Sequence, residues 1–230
     1  MFREREGICN KPICEIMERL RRMLTEYNIQ IPNSLRYSWS KQYLEEKFPS
    51  YWYVVFSQLS KLDRRLHVLE VGCGQGDITS IACYLGFDKI TAYERNKRDA
   101  EIANNKIETL FGKSNVVLPN EFPDGYVNSD VLIIVNCVYH DDATTKEEYI
   151  KKLKGFYKMA GCPIYVLIEV IDSHYDKDDK NFPKYVRLNE EEVNSMFPLA
   201  IVNSVETYTY PINKRTKRLY IIENEDSRNH

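Results

Sequence analysis

The chain of 230 residues is long enough for one substantial domain with an appended segment and too short for two full domains. Hydrophobic residues make up 43% and charged residues 29% of the chain, as in an ordinary globular protein. The formal net charge of −2 gives no electrostatic reason to expect nucleic acid or an anionic membrane as the main partner.

The sequence shows neither a membrane span nor a secretion signal. Its longest apolar candidate, Val131 to Val135, has the length of a strand, and the N-terminus lacks an apolar signal core. We therefore expect a cytoplasmic protein. The six cysteines are scattered without a C-x-x-C pair, which argues against a zinc site, and a cytosolic setting argues against disulfides. We predict no metal site.

The N-terminal part, residues 1–62, predicts a helical cap. Apolar residues recur at steps of three and four over 12–29, opposite a charged face, which predicts an amphipathic helix. An aromatic-rich stretch follows, in which Pro49 separates two short predicted helices, 38–47 and 51–61. We expect this segment to pack on the main domain and cover the active site. A contact between two copies of the chain, in a homodimer, is another use open to its first helix.

Strands and helices alternate through the main predicted domain, residues 63–230. The predicted strands are 67–71, 89–93, 115–118, 130–136, 163–169, 199–207 and 217–223, and the predicted helices are 77–86, 97–111, 144–159 and 189–196. This order implies right-handed crossovers and a doubly wound α/β sheet. The last two strands are separated by little more than a turn, so we expect an antiparallel hairpin at the end of the sheet.

A glycine-rich turn, residues 72–76 (Gly-Cys-Gly-Gln-Gly), follows the first strand and precedes a helix. Gly72 lets the chain turn sharply, Gly74 lets the backbone approach a ligand, and Gly76 allows close helix–strand packing. The turn is expected to present backbone N–H groups to a negative or polar ligand group. The second strand ends on Glu94, whose carboxylate can accept hydrogen bonds from both hydroxyls of a ribose.

The spacing of the glycines favours one kind of nucleotide over others. A dinucleotide site prefers G-x-G-x-x-G, whereas this turn reads G-x-G-x-G and is preceded by Glu70. An acid at that position suits a cationic amino group better than a pyrophosphate. The lysine and serine or threonine of a P-loop are absent, so the sequence does not favour ATP hydrolysis.

The stretch from Glu70 to Gly76 resembles the first motif of the class I S-adenosylmethionine-dependent methyltransferases. The resemblance extends as a fold over roughly residues 66–223. It implies a Rossmann-like, mostly parallel sheet of seven strands in the order 3-2-1-4-5-7-6, with strand 7 antiparallel and helices on both faces. It also implies the cofactor S-adenosyl-L-methionine (SAM).

The same resemblance implies where the parts of the cofactor bind. The 70–76 loop, Cys73 included, would hold the methionine part, and Glu94 would bind the ribose, with Arg95 beside the adenine. Where the family often carries an acid that meets the adenine amino group, this chain offers Asn120 as an amide and Glu121 as the alternative.

The loop after the fourth strand, residues 136–142, is the best catalytic candidate. The carboxyl ends of strands face the crevice of an open α/β sheet, so these side chains, Asn136 included, should reach the cofactor. The loop lacks the prolines of the N-P-P-Y loop found in amine-methylating members of the family and is more similar to small-molecule members with a histidine here. We hypothesise that His140 is the general base, with Tyr139 or Asp141 orienting it or the substrate. The alternative is that His140 caps the following helix.

Three further regions of the chain are rich in charged residues. Residues 172–184 are long enough for a substrate lid, and His174 within them is the second candidate for the base. Its acidic neighbours hint at a metal, but no second histidine stands at ligand spacing. The basic groups at 61–65 and 214–218 are interpreted as solvated strand and helix ends rather than a nucleic-acid surface.

The sequence as a whole predicts a SAM-dependent methyltransferase that transfers a methyl group to a hydroxyl or carboxylate oxygen of a small-molecule acceptor. An N-methyltransferase acting on a small amine and a non-catalytic SAM-binding subunit are the alternatives, and a nicotinamide-dependent dehydrogenase is a distant third. The identity of the acceptor is left open, because acceptor pockets in this fold are built from its least regular parts.

Overall fold

The computed structural model describes residues 11–36, 50–139, 143–197, 200–209 and 214–224. The helices are α1 (Lys11–Gln30), α2 (Ser50–Leu59), α3 (Thr79–Leu85), α4 (Lys97–Phe111), α5 (Lys146–Met159) and α6 (Glu190–Asn194). The strands are β1 (His67–Val71), β2 (Lys89–Tyr93), β3 (Val117–Leu118), β4 (Val131–Ile134), β5 (Tyr165–Asp172), β6 (Arg187–Leu188), β7 (Ala200–Thr209) and β8 (Lys214–Asn224). Every helix in these ranges is too short or too polar to span a membrane.

The strands form one mixed sheet in the order β3-β2-β1-β4-β5-β8-β7, with β6 attached to β5. Strands β1 to β5 pair in parallel, whereas β8 runs antiparallel to both β5 and β7. If the two-residue β6 is left out of the count, β7 and β8 become the sixth and seventh strands. The observed order is then the predicted order 3-2-1-4-5-7-6. The predicted Rossmann-like fold and its closing antiparallel hairpin are therefore confirmed. The predicted helix 38–47 lies outside the described residues.

Both faces of the sheet are covered, which explains why β4 is apolar throughout. Val131 and Ile133 face the cluster that contains α1 and α2, while Leu132 and Ile134 face the cluster that contains α5. All four of these side chains are buried. A strand buried on both faces reads as a continuous apolar run, as the sequence predicted.

Helix α2 packs directly on the main sheet. Its buried residues include Trp52, Val55, Phe56 and Leu59, which share one cluster with Val68 of β1 and other sheet residues. The indole Nε1 of Trp52 also donates a hydrogen bond to the carbonyl oxygen of Asp77, 3.3 Å away, just beyond the glycine-rich turn. The N-terminal segment therefore contacts the part of the sheet that carries the predicted cofactor site.

The sequence did not predict β6, which lies just after the segment 172–184 that was interpreted as a lid. Strand β5 continues for four residues beyond its pairing with β4, and β6 pairs with the last two of them. The buried guanidinium of Arg187 fastens the preceding segment by donating to the carbonyl oxygens of Lys177 (2.6 Å) and Phe182 (2.7 Å). The charged side chains between Asp176 and Lys180 remain largely exposed, but the backbone that carries them is tied to the sheet.

Gly76→Ala provides a test of the packing behind the glycine-rich turn. Gly76 has a φ of +78°, and a Cβ there would lie 3.0 Å from the Cβ of Ala103 on α4. We expect a loss of about 3 kcal/mol in the free energy of unfolding, of which roughly 1–2 kcal/mol is left-handed backbone strain and the rest overpacking. Urea denaturation monitored by circular dichroism measures this.

Gly112→Ala is the matched control, because Gly112 has a φ of +66° with no atom within 4 Å of an added Cβ. The free energy of unfolding of this control should fall only by the roughly 1–2 kcal/mol of left-handed backbone strain. Equal losses in the two variants would show that contact with α4 does not constrain the turn.

Candidate active site

A cavity of about 360 Å³ lies at the carboxyl ends of β1, β2, β3 and β4, where ligands bind in open α/β sheets. Its volume falls within the range of small-molecule sites. Nine of the predicted cofactor-binding residues line it: Glu70, Gly72, Cys73, Gly74, Glu94, Arg95, Asn120, Glu121 and Asn136. Gly76 does not line the cavity and instead packs against α4.

Gly72 and Gly74 have different surroundings in the turn. A Cβ on Gly72, whose φ is +67°, would lie 2.7 Å from the Cβ of Cys137, so the absence of a side chain lets the loop after β4 pass close to β1. Gly74 has a φ of +53°, and nothing lies within 4 Å of the position of an added Cβ. Its backbone is therefore open to the cavity, which fits the predicted close approach of a ligand.

Most backbone amides of the turn are already bonded within the protein. Gly72 and Cys73 both donate to the carbonyl oxygen of Tyr93, at 2.8 and 3.0 Å, and Gly76 donates to the carbonyl oxygen of Cys73 at 2.9 Å. Gly74 donates to the carboxylate of Glu94 at 2.8 Å. The predicted presentation of these N–H groups to a negative ligand is therefore wrong for four of the five residues. The turn instead holds the end of β2 and Glu94 in place.

The Glu94 carboxylate is held at both oxygens. Oε2 accepts the bond from Gly74, and Oε1 accepts one from the amide of Asn96 at 2.8 Å. Each carboxylate oxygen has a second lone pair, so both can accept a further hydrogen bond from a ligand hydroxyl. The predicted ribose acid is therefore fixed in position at the cavity wall.

Three exposed residues lie where the adenine was predicted. The guanidinium of Arg95 and the carboxylate of Glu121 are 4.0 Å apart. The side-chain amide nitrogen of Asn120 donates to Asp124 at 2.6 Å, which leaves the amide oxygen as the group available to a donor. The choice between Asn120 and Glu121 as the adenine contact remains a prediction, since both line the cavity.

The Glu70 carboxyl is buried at the cavity wall, with 3% of the residue exposed. Burial raises its pKa to about 8, although a hydrogen bond from the Thr79 hydroxyl acts in the opposite direction. The negative charges of Asp77 and Glu94 raise the pKa further. A cation entering the cavity would reverse this effect by favouring the ionised carboxylate.

The charges along the cavity wall are mostly acidic. Glu70, Asp77, Glu94, Asp99 and Glu121 line it, and Arg95 is the one basic residue among the described lining residues. The carboxylate of Asp77 is balanced from behind by the buried ammonium of Lys106 at 2.7 Å. The cavity therefore suits a ligand that carries a positive charge.

Among the lining residues that the sequence reasoning missed, two connect the cavity to the N-terminal segment. Tyr51 reaches the cavity from α2, and burial raises the pKa of its hydroxyl well above the ordinary value. Gln75, in the turn, donates from its amide to the carbonyl oxygen of Leu35 at 2.7 Å and to Asp99 at 3.1 Å. Tyr51 lies in the aromatic-rich stretch of the predicted cap, and no pattern in the sequence distinguished it from the other aromatic residues there.

The predicted catalytic residues are placed differently from the cavity residues. His140 and Asp141 lie outside the described residues. The Tyr139 side chain is buried beneath the loop after β4, and its hydroxyl donates to Glu169 at 2.9 Å. His174, the second candidate for the base, has an 88% exposed side chain, and its Nδ1 lies 2.7 Å from Asp172. Neither Tyr139 nor His174 lines the cavity.

Lys217 corrects the interpretation of the basic group 214–218 as solvated. Only 3% of Lys217 is exposed, and its ammonium lies 3.5 Å from the buried carboxylate of Glu169. The antiparallel pairing of β8 with β5 brings the two residues together from distant parts of the sequence. Because a buried charge needs a partner, this pairing explains how the lysine is tolerated.

Comparison with known proteins supports this architecture. No protein-family model matches the chain, and no curated protein does. Among solved structures, the chain is similar to magnesium protoporphyrin IX methyltransferase (ChlM) from Synechocystis PCC 6803 with bound SAH. The TM-score is 0.59 at 12% identity, over 94% of this chain and 100% of that one.

Two other solved structures are similar over nearly their whole lengths. With 1,6-didemethyltoxoflavin-N1-methyltransferase from Burkholderia thailandensis the TM-score is 0.59 at 12% identity, over 96% of this chain and 92% of that one. With the O-methyltransferase from Bacillus cereus it is 0.54 at 12% identity, over 96% and 94%. The chain thus has the fold of the class I SAM-dependent methyltransferases, and the resemblance predicted from its first motif is confirmed at the level of fold.

Glu70→Gln tests the buried carboxyl of the cavity. In the folded protein Glu70 holds its proton up to about pH 8, whereas in the unfolded chain it ionises near 4.5. Unfolding between these values releases a proton, so stability falls as pH rises. Relative to Glu70→Gln, the wild-type free energy of unfolding should fall by about 1.4 kcal/mol per pH unit between about pH 6 and pH 7, and less steeply as pH approaches 8.

Urea denaturation at a series of pH values measures this difference, with the exposed Glu108→Gln as the control. Parallel pH profiles for wild type and Glu70→Gln would contradict a raised pKa at Glu70.

Proposed function

We propose that the protein is a SAM-dependent methyltransferase that transfers a methyl group to a hydroxyl or carboxylate oxygen of a small-molecule acceptor. The observation that carries the proposal is the joint position of three features at one cavity of this fold: the buried carboxyl of Glu70, the open backbone of Gly74 and the fixed carboxylate of Glu94. Together they match a ligand with a cationic amino group and a ribose.

The residues present fit SAM part by part. The Glu70 carboxyl would accept hydrogen bonds from the methionine ammonium, which would favour its ionised form. The open backbone at Gly74, with Cys73 beside it, would border the methionine part, and Glu94 would accept from the ribose hydroxyls. Arg95 would lie beside the adenine, and Asn120 or Glu121 would accept from the adenine amino group. Asn136 would lie where cofactor and acceptor meet.

The chain's own contribution to the reaction is alignment and proton removal. SAM supplies an activated methyl group, so the protein has to hold acceptor and cofactor in line and exclude water. We assign residues 1–62 to the cap that closes the site, supported by Tyr51 in the cavity wall and by the bond from Gln75 to Leu35. His140 remains our candidate for the general base, with Tyr139 as a residue that orients the loop through Glu169.

The solved relatives do not fix the accepting atom, since they include an O-methyltransferase and an N1-methyltransferase. An oxygen acceptor is favoured by the sequence of the loop after β4, which has a histidine and lacks the prolines of the N-P-P-Y loop typical of amine-methylating members of the family that the first motif resembles. The identity of the acceptor is best sought by incubating the protein with methyl-labelled SAM and a metabolite extract, followed by mass spectrometry.

Cofactor binding can be measured without knowing the acceptor. In isothermal titration calorimetry, wild type should bind S-adenosylhomocysteine, and Glu94→Ala should bind it about 100-fold more weakly because hydrogen bonds to a charged acceptor are lost. Glu101→Ala, an exposed carboxylate on α4, is the control. If wild type bound neither S-adenosylhomocysteine nor SAM, the proposed function would be wrong, and binding of NAD instead would indicate a dehydrogenase.

The proposed base is tested by His140→Ala and His140→Gln. Each should lower turnover of a hydroxyl acceptor by about 100-fold or more, the usual contribution of a positioned base, while the affinity for S-adenosylhomocysteine stays unchanged. Initial rates with labelled SAM measure this. Full turnover in both variants would end the assignment, and a loss of cofactor affinity would indicate a structural role instead.

A further inference from the structure

A buried polar cluster lies beneath the loop that follows β4, at the end of the cavity opposite the predicted adenine region. At its centre is the carboxylate of Glu169, which is 1% exposed. It accepts hydrogen bonds from the hydroxyls of Tyr139 (2.9 Å) and Thr207 (2.7 Å) and from the backbone amide of Asn136 (3.2 Å). The ammonium of Lys217 completes the cluster at 3.5 Å.

Lys217 fixes which end of the Asn136 side chain faces the cavity. Its ammonium donates a hydrogen bond to Oδ1 of Asn136. Because an ammonium has only donors, the partner must be the amide oxygen, and the carboxamide cannot be turned around. Asn136 lines the cavity, and its NH₂ group has no hydrogen-bond partner among the residues that the structure describes. The end left for a ligand is therefore a donor.

The backbone around Asn136 is held in an uncommon conformation by the same cluster. Asn136 and Val138 have φ values of 56° and 63°, and a β-branched residue is rare in this left-handed region. The bond from the Asn136 amide to Glu169 anchors this segment, and the thiol of the intervening Cys137 donates to the carbonyl oxygen of Val71 at 3.0 Å. Such strain persists where the surroundings over-determine it, which is common at binding sites.

The direction of the Asn136 side-chain amide discriminates between amine and oxygen compounds as methyl acceptors. An amine must place its N–H groups against acceptors in the protein, whereas the oxygen of Asn136 is turned toward Lys217 and its NH₂ group is the end left for a ligand. A carboxylate or a deprotonated hydroxyl instead presents lone pairs, which match an NH₂ donor. A site built around a hydrogen-bond donor leaves that donor unpaired when a methyl acceptor of the wrong class binds. The wrong methyl acceptor therefore reacts less readily.

We propose that Asn136 is a specificity-determining residue that donates from its side-chain amide to an oxygen of the methyl acceptor, and that Lys217 and Glu169 are positioning residues that hold the amide in this direction. The proposal rests on the proposed methyltransferase function and deepens it by assigning the choice of an oxygen acceptor to a buried ion pair. It places Asn136 at the acceptor rather than deep in the cofactor site.

The first experiment identifies the accepting atom. The protein is incubated with methyl-labelled SAM and a metabolite extract, and the labelled product is treated with hot hydriodic acid, which releases O-methyl groups as methyl iodide under conditions that N-methyl groups resist. Release of the label supports the proposal. Label retained as N-methyl, or no transfer by a protein that binds S-adenosylhomocysteine, overturns it. Failure to bind S-adenosylhomocysteine would overturn the proposed function instead.

The second experiment separates positioning from mere structural support. It is a double-mutant cycle on Asn136 and Lys217, with rates measured on the methyl acceptor isolated in the first experiment. Asn136→Ala should lower kcat/KM by about 10- to 100-fold, the value of a hydrogen bond to a charged group, with S-adenosylhomocysteine affinity within about twofold of wild type. Lys217→Met should lower kcat/KM about tenfold, mainly through KM. Since Lys217 acts through Asn136, combining the two should cost no more than Asn136→Ala alone.

Removal of Lys217 leaves Glu169 without a counter-charge, so Lys217→Met is also combined with Glu169→Gln to keep the site neutral if the single variant does not fold. Lys146→Met, which removes a 2.7 Å ion pair with Glu192 away from the cavity lining, is the control and should behave as wild type. Additive losses in the cycle, or a fall in S-adenosylhomocysteine affinity that matches the loss of kcat/KM in Asn136→Ala, would overturn the proposal.

Discussion

The close approach of the turn after β1 to the loop after β4 is the constraint on which the cavity depends. A side chain at Gly72 would overlap Cys137, so the two strand ends meet only because position 72 has no Cβ. The amides of Gly72 and Cys73 then bind the end of β2, and Gly74 binds Glu94. Three neighbouring strand ends are thereby fixed relative to one another before any ligand is present, as preorganised binding requires.

Two ion pairs near the cavity are balanced within the protein, whereas the buried carboxyl of Glu70 has no cation beside it among the described residues. Asp77 is paired with Lys106, and Glu169 is paired with Lys217 and three further donors. Among the described residues, Glu70 has the hydroxyl and the backbone amide of Thr79 as donors but no cation, and burial raises its pKa to about 8. Because leaving a buried carboxyl without a counter-charge is costly, such a group is expected where a ligand brings the missing cation. This physical reason agrees with the proposal of a cationic cofactor.

The sheet order was implied by the family resemblance of the first motif, and local pattern was sufficient to predict the strands and nine of the residues that line the cavity, because each of these signals lies within a few residues of chain. The apolar run of β4 and the spacing of the turn 72–76 are examples. Partners that meet only through the fold were not predictable in this way. Lys217 stands in a basic run that resembles a solvated strand end, and its burial becomes evident only once β8 lies beside Glu169. Strand β6 similarly depends on the overhang of β5 beyond β4.

The site is also shared between the N-terminal segment and the sheet, and this bears on how acceptor and cofactor are brought together. Gln75 binds the carbonyl oxygen of Leu35, Trp52 binds that of Asp77, and Tyr51 forms part of the cavity wall. Each contact joins the N-terminal segment to the turn that would hold the methionine part of the cofactor. The Lys217–Glu169 pair holds the cavity wall at Asn136 from beneath the sheet end. The proposed transfer point therefore lies between a wall fixed by the N-terminal helices and a wall fixed by β5 and β8.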